Sequence, residues 1–303
     1  MRYWLMAAVA AVLFAGSFAA RSLLAPSPGT AAGAGSAAPA RIVSLSPGIT
    51  ESLFAVGAGG QVVGVTTYCN WPPAARALPR VGAFLDTNFE AIVGLAPDLV
   101  VLMPSHRDHR AELERLGLRT EVVDQTLLED IPASLELLGR LTGHEAEGRS
   151  AAETLRGQIA RVREKVRGAA RPRVLLSAGR DLAAKSLSEV YIAGHRTFLG
   201  QLLDAAGAEN AFPDSAVDYP ALSGEAILRL DPDRILEVVM SDTDIAPEAA
   251  TAAWRGLEGL RAAREDRILV LQGAHLTIPG PRVGAALEEL ARAVHPELDW
   301  AAP

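Results

Sequence analysis

Residues 41–65 read RIVSLSPGITESLFAVGAGGQVVGV, and this stretch determines the fold class that we expect. Ile42–Leu45 is a short apolar run that predicts a buried strand. Pro47 marks the start of a helix that ends before Gly57, and Gln61–Val65 predicts a second strand. A strand, a helix and a strand in this order indicate a βαβ unit with a right-handed crossover.

The same alternation continues to the end of the chain and predicts an α/β fold with two lobes and central, mainly parallel sheets. The first lobe occupies residues 41–144 and the second occupies 171–303. Residues 145–170 contain one long interlobe helix, because apolar residues recur there at helical spacing on a charged background. Further strands are predicted at Leu99–Met103, Thr120–Val123, Arg173–Ser177, Arg234–Val239 and Ile268–Leu271, and further helices at Phe89–Leu95, Arg110–Leu116, Ile131–Thr142, Thr197–Ala206, Glu225–Leu230, Ala249–Leu260 and Gly280–Val294.

The composition is typical of a folded protein, since 49% of the 303 residues are hydrophobic and 21% are charged. Lys and Arg number 29 against 36 Asp and Glu, which gives a formal net charge of −7. Nucleic acid attracts positive surfaces, so we expect no nucleic-acid partner. Cys69 is the single cysteine, which excludes an intramolecular disulfide and a cysteine-ligated structural zinc.

Residues 1–20 read as an export signal, in which a basic residue precedes the apolar stretch Tyr3–Ala15 and Ser17–Ala19 offers small residues for cleavage. The uncharged run Tyr3–Ala20 also reaches the lower limit of a membrane-spanning helix, so an uncleaved N-terminal anchor is the alternative. Residues 21–40, rich in Ala, Gly, Ser and Pro, predict a flexible linker. Under both interpretations the protein is expected in the periplasm.

An internal repeat relates the two lobes. Residues 90–98 (EAIVGLAPD) align without a gap on residues 225–233 (EAILRLDPD), with an offset of 135 and six identical positions of nine. A helix followed by Pro-Asp and a strand is a common connection and explains part of the repeat. Glu90 and Glu225 fall in a first helical turn, where the helix dipole favours a carboxylate; a role in docking a partner is the alternative.

Four segments carry a family resemblance, namely Arg41–Glu51, Val63–Pro73, Leu78–Gly82 and Asn88–Ile92. In this order they resemble the substrate-binding proteins of ABC importers for cobalamin, haem and ferric siderophores. Within that group, the segment Tyr68–Pro73 is most similar to the cobalamin-binding proteins.

The resemblance implies a monomer with no permanent cofactor, whose two lobes hold a transported ligand in the cleft between them. The ligand would be a corrinoid, cobalamin or cobinamide. Haem or a ferric siderophore is the alternative within the same fold, and a sensor or scaffold not coupled to transport is the alternative of a different class. In the family one glutamate of each lobe docks on a permease dimer that works with ATPase subunits, and by position these are Glu90 and Glu225.

The ligand-binding residues also follow from the resemblance. A corrin or porphyrin is a large disc that needs flat apolar walls and a few polar groups. Tyr68, Phe84 and Tyr219 match positions that line the corrinoid pocket, although two of these positions resemble tryptophans in cobalamin binders. Core packing is the alternative for each aromatic residue. The complete predicted set is Tyr68, Trp71, Phe84, Asp86, Tyr219 and His275.

His275 is also the one candidate for a metal contact, made only through the bound ligand. The family often has an aspartate and a tryptophan where this chain has Ala274 and His275. The imidazole there would hydrogen-bond a corrin amide or coordinate cobalt or haem iron, and a polar loop histidine with neither role is the alternative. Tyr68 has a similar second role as an axial ligand of haem iron.

The remaining polar residues are expected to be structural. Cys69 is expected to be buried, and His106 and His109 to form a solvated helix start rather than a metal pair. The chain has no P-loop and no G-x-S-x-G motif, so we expect no enzymatic activity. Surface positions are expected for Arg107, Arg180, His195 and Arg282, which would otherwise suit an anionic ligand.

Overall fold

A computed structural model of the protein describes residues 38–83, 86–182, 184, 186–213, 217–239 and 247–301. These residues form two compact units, an N-terminal unit up to Arg156 and a C-terminal unit from Gly157. The predicted signal or anchor and most of the predicted linker lie outside the described residues. Within the described ranges, no helix combines the length and the apolar character needed to cross a membrane.

The N-terminal unit contains one sheet of four parallel strands in the order β2-β1-β3-β4. The strands are β1 (Ile42–Ser44), β2 (Val62–Val65), β3 (Leu99–Leu102) and β4 (Thr120–Val122). The helices are α1 (Pro47–Ala55), α2 (Phe89–Gly94), α3 (Arg107–Arg115), α4 (Asp130–Thr142) and the first part of α5 (Glu145–Lys165), within which the boundary between the units falls.

The central strands are buried on both faces, as expected for parallel strands that are connected by helical crossovers. Every residue of β1 and β3 is buried. Val43 and Val100 of these strands belong to one apolar cluster that also contains Ile92 of α2 and Leu113 of α3. Helices therefore cover the strands, and the apolar runs of the sequence are the core of the unit.

The C-terminal unit contains a mixed sheet in the order β10-β9-β5-β6-β8, with β7 paired to β5. Strands β5, β7, β9 and β10 are parallel, whereas β6 is antiparallel to both β5 and β8. The strands are β5 (Arg173–Arg180), β6 (Val190–Ile192), β7 (Glu209–Asn210), β8 (Ala221–Leu222), β9 (Arg234–Val239) and β10 (Ile268–Gln272). The helices are α6 (Phe198–Ala205), α7 (Gly224–Leu230), α8 (Pro247–Arg255), α9 (Arg261–Arg264) and α10 (Val283–Val294).

The expected fold class, two α/β lobes with mainly parallel sheets and a long helix between them in the chain, is confirmed. One predicted helix, Ala249–Leu260, is wrong in its extent, because α8 ends at Arg255 and α9 follows as a separate helix. Strands β6, β7 and β8 are additions to the prediction. They are two or three residues long, too short to produce an apolar pattern in the sequence.

The internal repeat has a structural basis, which is clearest in the N-terminal unit. A carboxylate oxygen of Asp98 accepts the backbone N–H of Arg41 at 2.9 Å. The guanidinium of Arg41 in turn donates to the carbonyl oxygens of Leu95 (2.7 Å) and Ala96 (3.2 Å), at the C-terminal end of α2. We call this pair the Arg–Asp clamp. It satisfies helix carbonyls that have no partner within the helix and aligns the start of β1 with the start of β3.

The C-terminal unit has the same clamp. Asp233 accepts the backbone N–H of Arg173 at 2.8 Å, and the Arg173 guanidinium donates to the carbonyl oxygens of Leu230 (3.0 Å) and Asp231 (3.2 Å) at the end of α7. The backbone agrees as well, since Asp231 has a φ of 40° and its counterpart Ala96 has a φ of 45°. The repeated Pro-Asp pair therefore marks the same turn in both units.

Candidate ligand-binding site

Tyr68 and Trp71 lie on the loop that follows β2, at the carboxyl end of the parallel sheet. Ligands of α/β proteins bind at this end of the strands. The side chain of Tyr68 is half-buried, and Trp71 is 44% exposed. Part of each aromatic ring is therefore available for a ligand.

A tight turn at Gly82 ties this loop to the segment that carries Asp86. The N–H and the hydroxyl of Thr67 both donate to the Gly82 carbonyl oxygen, at 2.9 and 3.0 Å. Gly82 has a φ of +95°, and a Cβ atom there would collide with the carbonyl oxygen of Asp86, so the turn requires glycine. The structure thus brings the segments of Tyr68 and Asp86 together. Phe84 lies outside the described residues.

Cys69 is buried, as expected, and its sulfur lies 3.1 Å from the hydroxyl of Thr50 and 3.0 Å from that of Thr66. Burial raises the pKa of the Cys69 thiol, and the two threonines and Arg80 only partly oppose this effect. The thiol is therefore protonated at neutral pH and supports the loop by packing.

His106 is only 2% exposed, so the prediction of a solvated helix start was wrong at this residue. Its Nδ1 accepts the N–H of Met103 at 3.1 Å, and its ring centre lies 5.4 Å from that of His109. Burial and then the neighbouring His109 lower the pKa of His106 to about 4, and burial also lowers the pKa of His109. Both rings are therefore mainly neutral at pH 7. In the described part of the chain, no three His, Cys, Asp or Glu side chains are arranged to bind a metal ion.

Tyr219 precedes β8 in the C-terminal unit and is half-buried. Its phenol is hydrogen-bonded to Thr197, the residue that caps the N-terminus of α6. Burial raises the pKa of Tyr219 above its usual value; the hydrogen bond to Thr197 opposes this shift and the charge of Asp218 adds to it. Tyr219 is therefore a neutral phenol tied to a helix start.

His275 lies in a short helical turn after β10, and its side chain is 23% exposed. Its Nε2 is 2.8 Å from a carboxylate oxygen of Glu289 on α10. The ring also packs closely against the backbone of Gly273, where a Cβ atom would collide with it. Because Glu289 already contacts Nε2, this arrangement suits a hydrogen-bonding role better than a metal ligand.

Arg180 is buried, so its predicted surface position was wrong. Its side chain is 2% exposed and pairs with Glu237, which is 1% exposed, through contacts of 2.7 and 3.1 Å. The indole N–H of Trp254 donates to the same carboxylate at 2.7 Å. This cluster has no sequence signal, because Arg180 and Glu237 are 57 residues apart.

Glu90 and Glu225 occupy equivalent helix positions. Each is the second residue of its helix and follows a capping side chain, Asn88 in α2 and Ser223 in α7. Glu90 is exposed, and the Glu225 side chain is 79% exposed and lies 2.7 Å from Arg229. Each unit therefore presents a first-turn carboxylate to solvent.

The other predicted surface residues carry less information. Arg107 and His195 are exposed, as expected, and His195 Nε2 lies 2.7 Å from the carbonyl oxygen of Phe212. Arg282 is half-buried. Of the predicted ligand-binding residues, Tyr68, Trp71 and Asp86 lie on joined loops of the N-terminal unit, and Tyr219 and His275 belong to the C-terminal unit.

Comparisons with known proteins agree with this architecture. The profile of a family described as periplasmic binding protein matches residues 42–274. The vitamin B12-binding protein of Pectobacterium carotovorum subsp. carotovorum (strain PC1) is 32% identical over 204 residues, which are 66% of this chain and 71% of that protein.

Two solved structures extend the likeness to the fold. The periplasmic vitamin B12-binding protein of Vibrio cholerae has 27% identity and a TM-score of 0.74, over 84% of this chain and 96% of that one. A periplasmic haem-binding protein from Pseudomonas aeruginosa has 28% identity and a TM-score of 0.71, over 86% and 94%. The chain thus belongs to the periplasmic binding protein family and is an extracytoplasmic substrate-binding protein, not an enzyme.

Proposed function

We propose that the protein captures a corrinoid, cobalamin or cobinamide, and delivers it to an ABC importer without changing it chemically. The observation that carries this proposal is the loop Tyr68–Pro73, which resembles the corresponding segment of cobalamin-binding proteins. In the structure this loop follows a parallel strand and leaves Trp71 44% exposed. Two of the similar proteins described above are named for vitamin B12.

The chemistry of the described side chains fits a corrin. The exposed indole of Trp71 offers a flat apolar surface, and stacking of this kind contributes about 0.5–1.5 kcal/mol beyond the burial of area. The exposed carboxylate of Asp86 accepts hydrogen bonds from the amide groups at the corrin rim. Tyr219 supplies a neutral phenol and His275 an imidazole for further amide contacts. The proposal also keeps Phe84, an aromatic residue of the predicted set that lies outside the described residues.

Haem is the second candidate, because the haem-binding protein of Pseudomonas aeruginosa is as similar to this chain as the vitamin B12-binding one. The Tyr68 phenol would then be the axial ligand of the iron. A ferric siderophore is a further option on the same fold. His275 is less suited to metal coordination, since Glu289 already holds its Nε2.

We further propose that Glu90 and Glu225 dock the protein, as a monomer, on the permease dimer of an importer with its ATPase subunits. Both side chains are exposed, and both residues lie in the first turn of a helix with a capping side chain, which suits recognition by charge. A ligand sensor or scaffold would bind the same ligand but would not need this pair. Export to the periplasm by residues 1–20, either cleaved or kept as an anchor, completes the proposal.

The test is a titration of the purified protein with cyanocobalamin, dicyanocobinamide, hemin and a ferric hydroxamate, followed by the visible spectrum of each ligand. We expect saturable one-to-one binding of a corrinoid with a Kd of about 1 μM or tighter, equivalent to about −8 kcal/mol. The variant W71A should weaken this binding by about tenfold. L116A is the matched control, because Leu116 is 43% exposed in the same unit but lies outside the loop.

Binding of hemin or of the ferric hydroxamate alone would contradict the corrinoid assignment and support the corresponding alternative ligand on the same fold. Failure to bind any of the four compounds would contradict the proposed function. Equal weakening by W71A and L116A would show that the loop after β2 is not the binding surface.

A further inference from the structure

The segment Leu78–Gly82 carries part of the family resemblance but has no role in the ligand contacts proposed above. Its backbone is fixed beside β2, because the N–H of Val65 donates to Pro79 and the N–H of Val81 donates to Val65, both at 3.0 Å. Arg80 lies between these two hydrogen bonds and pairs with Val65 in an isolated parallel bridge. The Arg80 side chain therefore starts from a rigid base.

The guanidinium of Arg80 contacts both ends of the loop that follows β2. One terminal nitrogen donates to the carbonyl oxygens of Thr66 and Cys69, both at 2.9 Å. The other donates to the side-chain oxygen of Asn70 at 3.4 Å and to the carbonyl oxygen of Arg76 at 3.3 Å. One side chain thus connects four oxygens distributed from residue 66 to residue 76.

A planar guanidinium is suited to this task, because its N–H groups diverge in a fixed plane, whereas the ammonium of lysine is a single point. All four acceptors are neutral oxygens, and no ion pair among the described residues includes Arg80. The contacts of Arg80 therefore hold the loop backbone in one conformation and do not neutralise a negative charge.

We propose that Arg80 is a positioning residue that holds the 66–76 loop in its binding conformation before the ligand arrives. Tyr68 and Trp71 lie between the first and last carbonyl groups that Arg80 contacts. Their rings lose less conformational freedom on binding if the loop is already ordered, and this raises affinity. The inference rests on the proposed function, in which these two rings contact the ligand.

The experiment compares R80M and R80K with the wild-type protein. R80M removes the guanidinium, and R80K keeps the positive charge but loses the diverging N–H groups. R41M is the matched control, because Arg41 also donates to two main-chain carbonyl oxygens of the same unit but contacts no residue of the loop. Three quantities are measured: hydrogen–deuterium exchange of residues 66–76 without ligand, the Kd and association rate for cyanocobalamin and for hemin, and the Tm.

In R80M and R80K we expect exchange in residues 66–76 to be at least about tenfold faster. If the binding-competent fraction falls to about a tenth, the apparent Kd rises about tenfold, mainly through slower association. R41M should lower the Tm without changing loop exchange or Kd. If R80M does not fold, R80K alone decides the question, since it keeps the charge and most of the stem.

Wild-type exchange in the Arg80 variants would overturn the proposal, and so would an equal loss of affinity in R41M. If the wild-type protein binds neither cyanocobalamin nor hemin, the ligand assignment is wrong for both probes. In that case faster loop exchange in R80M and R80K still supports the positioning role, and unchanged exchange refutes it.

Discussion

The two units are most alike at the Arg–Asp clamp. They differ on the strand that follows it, at the position four residues after the clamp aspartate. In the N-terminal unit this position is Leu102, which is fully buried in an apolar cluster. In the C-terminal unit it is Glu237, which is equally buried but bound to Arg180 and Trp254. The same strand position therefore accepts an apolar side chain or an ion pair, provided that all the partners are present.

The apolar side chain and the buried ion pair differ in how a single substitution affects stability. Burying two charges costs solvation free energy that their attraction offsets only when the geometry is good and the other polar atoms are satisfied. The Arg180–Glu237 pair meets this condition through its two short contacts and the indole N–H of Trp254. Leu102 has no such dependence on a distant partner.

The largest effect on stability is expected for E237L, which places in the C-terminal unit the leucine that the N-terminal unit has at this position. This variant leaves the Arg180 guanidinium buried without its carboxylate, so the free energy of unfolding should fall by about 3–5 kcal/mol. The measurement is urea unfolding followed by circular dichroism, because E237L itself changes the surroundings of the Trp254 indole. The double variant R180M/E237L should recover part of the loss, since it removes the buried charge and leaves two uncharged groups without their partner, the Trp254 N–H and the Ala250 carbonyl oxygen.

An exposed ion pair provides the control for that prediction. Arg149 and Glu145 lie 2.7 Å apart, with both side chains 58% exposed. R149M should change the free energy of unfolding by less than about 1 kcal/mol. If E237L costs no more than R149M, the buried pair is not what stabilises the C-terminal unit.

A smaller effect should follow from removing the clamp aspartates one at a time. D233A should cost about 2–3 kcal/mol and D98A about 1–2 kcal/mol, because Asp98 is exposed and water partly replaces its contacts. Chemical unfolding of both variants measures the difference, with D233N and D98N as controls that keep one acceptor oxygen. Equal costs at the two sites would show that burial does not distinguish the clamps.

The contribution of Asp233 to stability should depend on pH. Burial alone would raise the pKa of Asp233, but the N–H of Arg173 and the guanidinium of Arg261 hold it below its ordinary value. Its contribution to stability is therefore complete above about pH 4 and is lost as the pH falls through the lowered pKa. The difference between the wild type and D233A should shrink over that range, and a constant difference would contradict the assignment.

The smallest effect on stability is expected at the two exposed glutamates. E90Q and E225Q should each cost less than about 1 kcal/mol, since each removes only a first-turn charge and, at Glu225, one exposed ion pair. The double variant should nevertheless abolish importer-dependent uptake of cobalamin and leave its Kd unchanged. E147Q, in the first turn of α5, is the control. Normal uptake by the double variant would refute the docking role.

The sequence predicted the parallel strands well, because β1, β3 and β9 are buried runs between helices and turn residues. It did not predict the antiparallel edge, because β6 and β8 are short and are ordered by pairing, β6 with β5 and β8 with β6. The burial of Arg180 was missed for a related reason, because an arginine signals burial only through its partners and Glu237 is distant in the chain. The burial of His106 was missed although its partner Met103 is three residues away, because a neighbour in the chain does not show whether the ring is covered.

The candidate site was predictable to a similar extent. The segment Tyr68–Pro73 and the glutamate pair were visible as a family pattern and a repeat. The role of Arg80 was not, because a guanidinium that contacts main-chain oxygens leaves no trace in the identity of the residues it contacts. The contact of His275 with Glu289 likewise depends on how α10 packs beside the end of β10.

The difference between Leu102 and Glu237 also constrains the history of the repeat. Two segments that share the clamp, its register and its backbone turn have the properties of copies of one ancestral segment. Conversion of a leucine into a buried glutamate, or the reverse, passes through a destabilised intermediate unless the arginine and tryptophan partners change with it. A single substitution at this position therefore cannot convert one unit's arrangement into the other's without loss of stability.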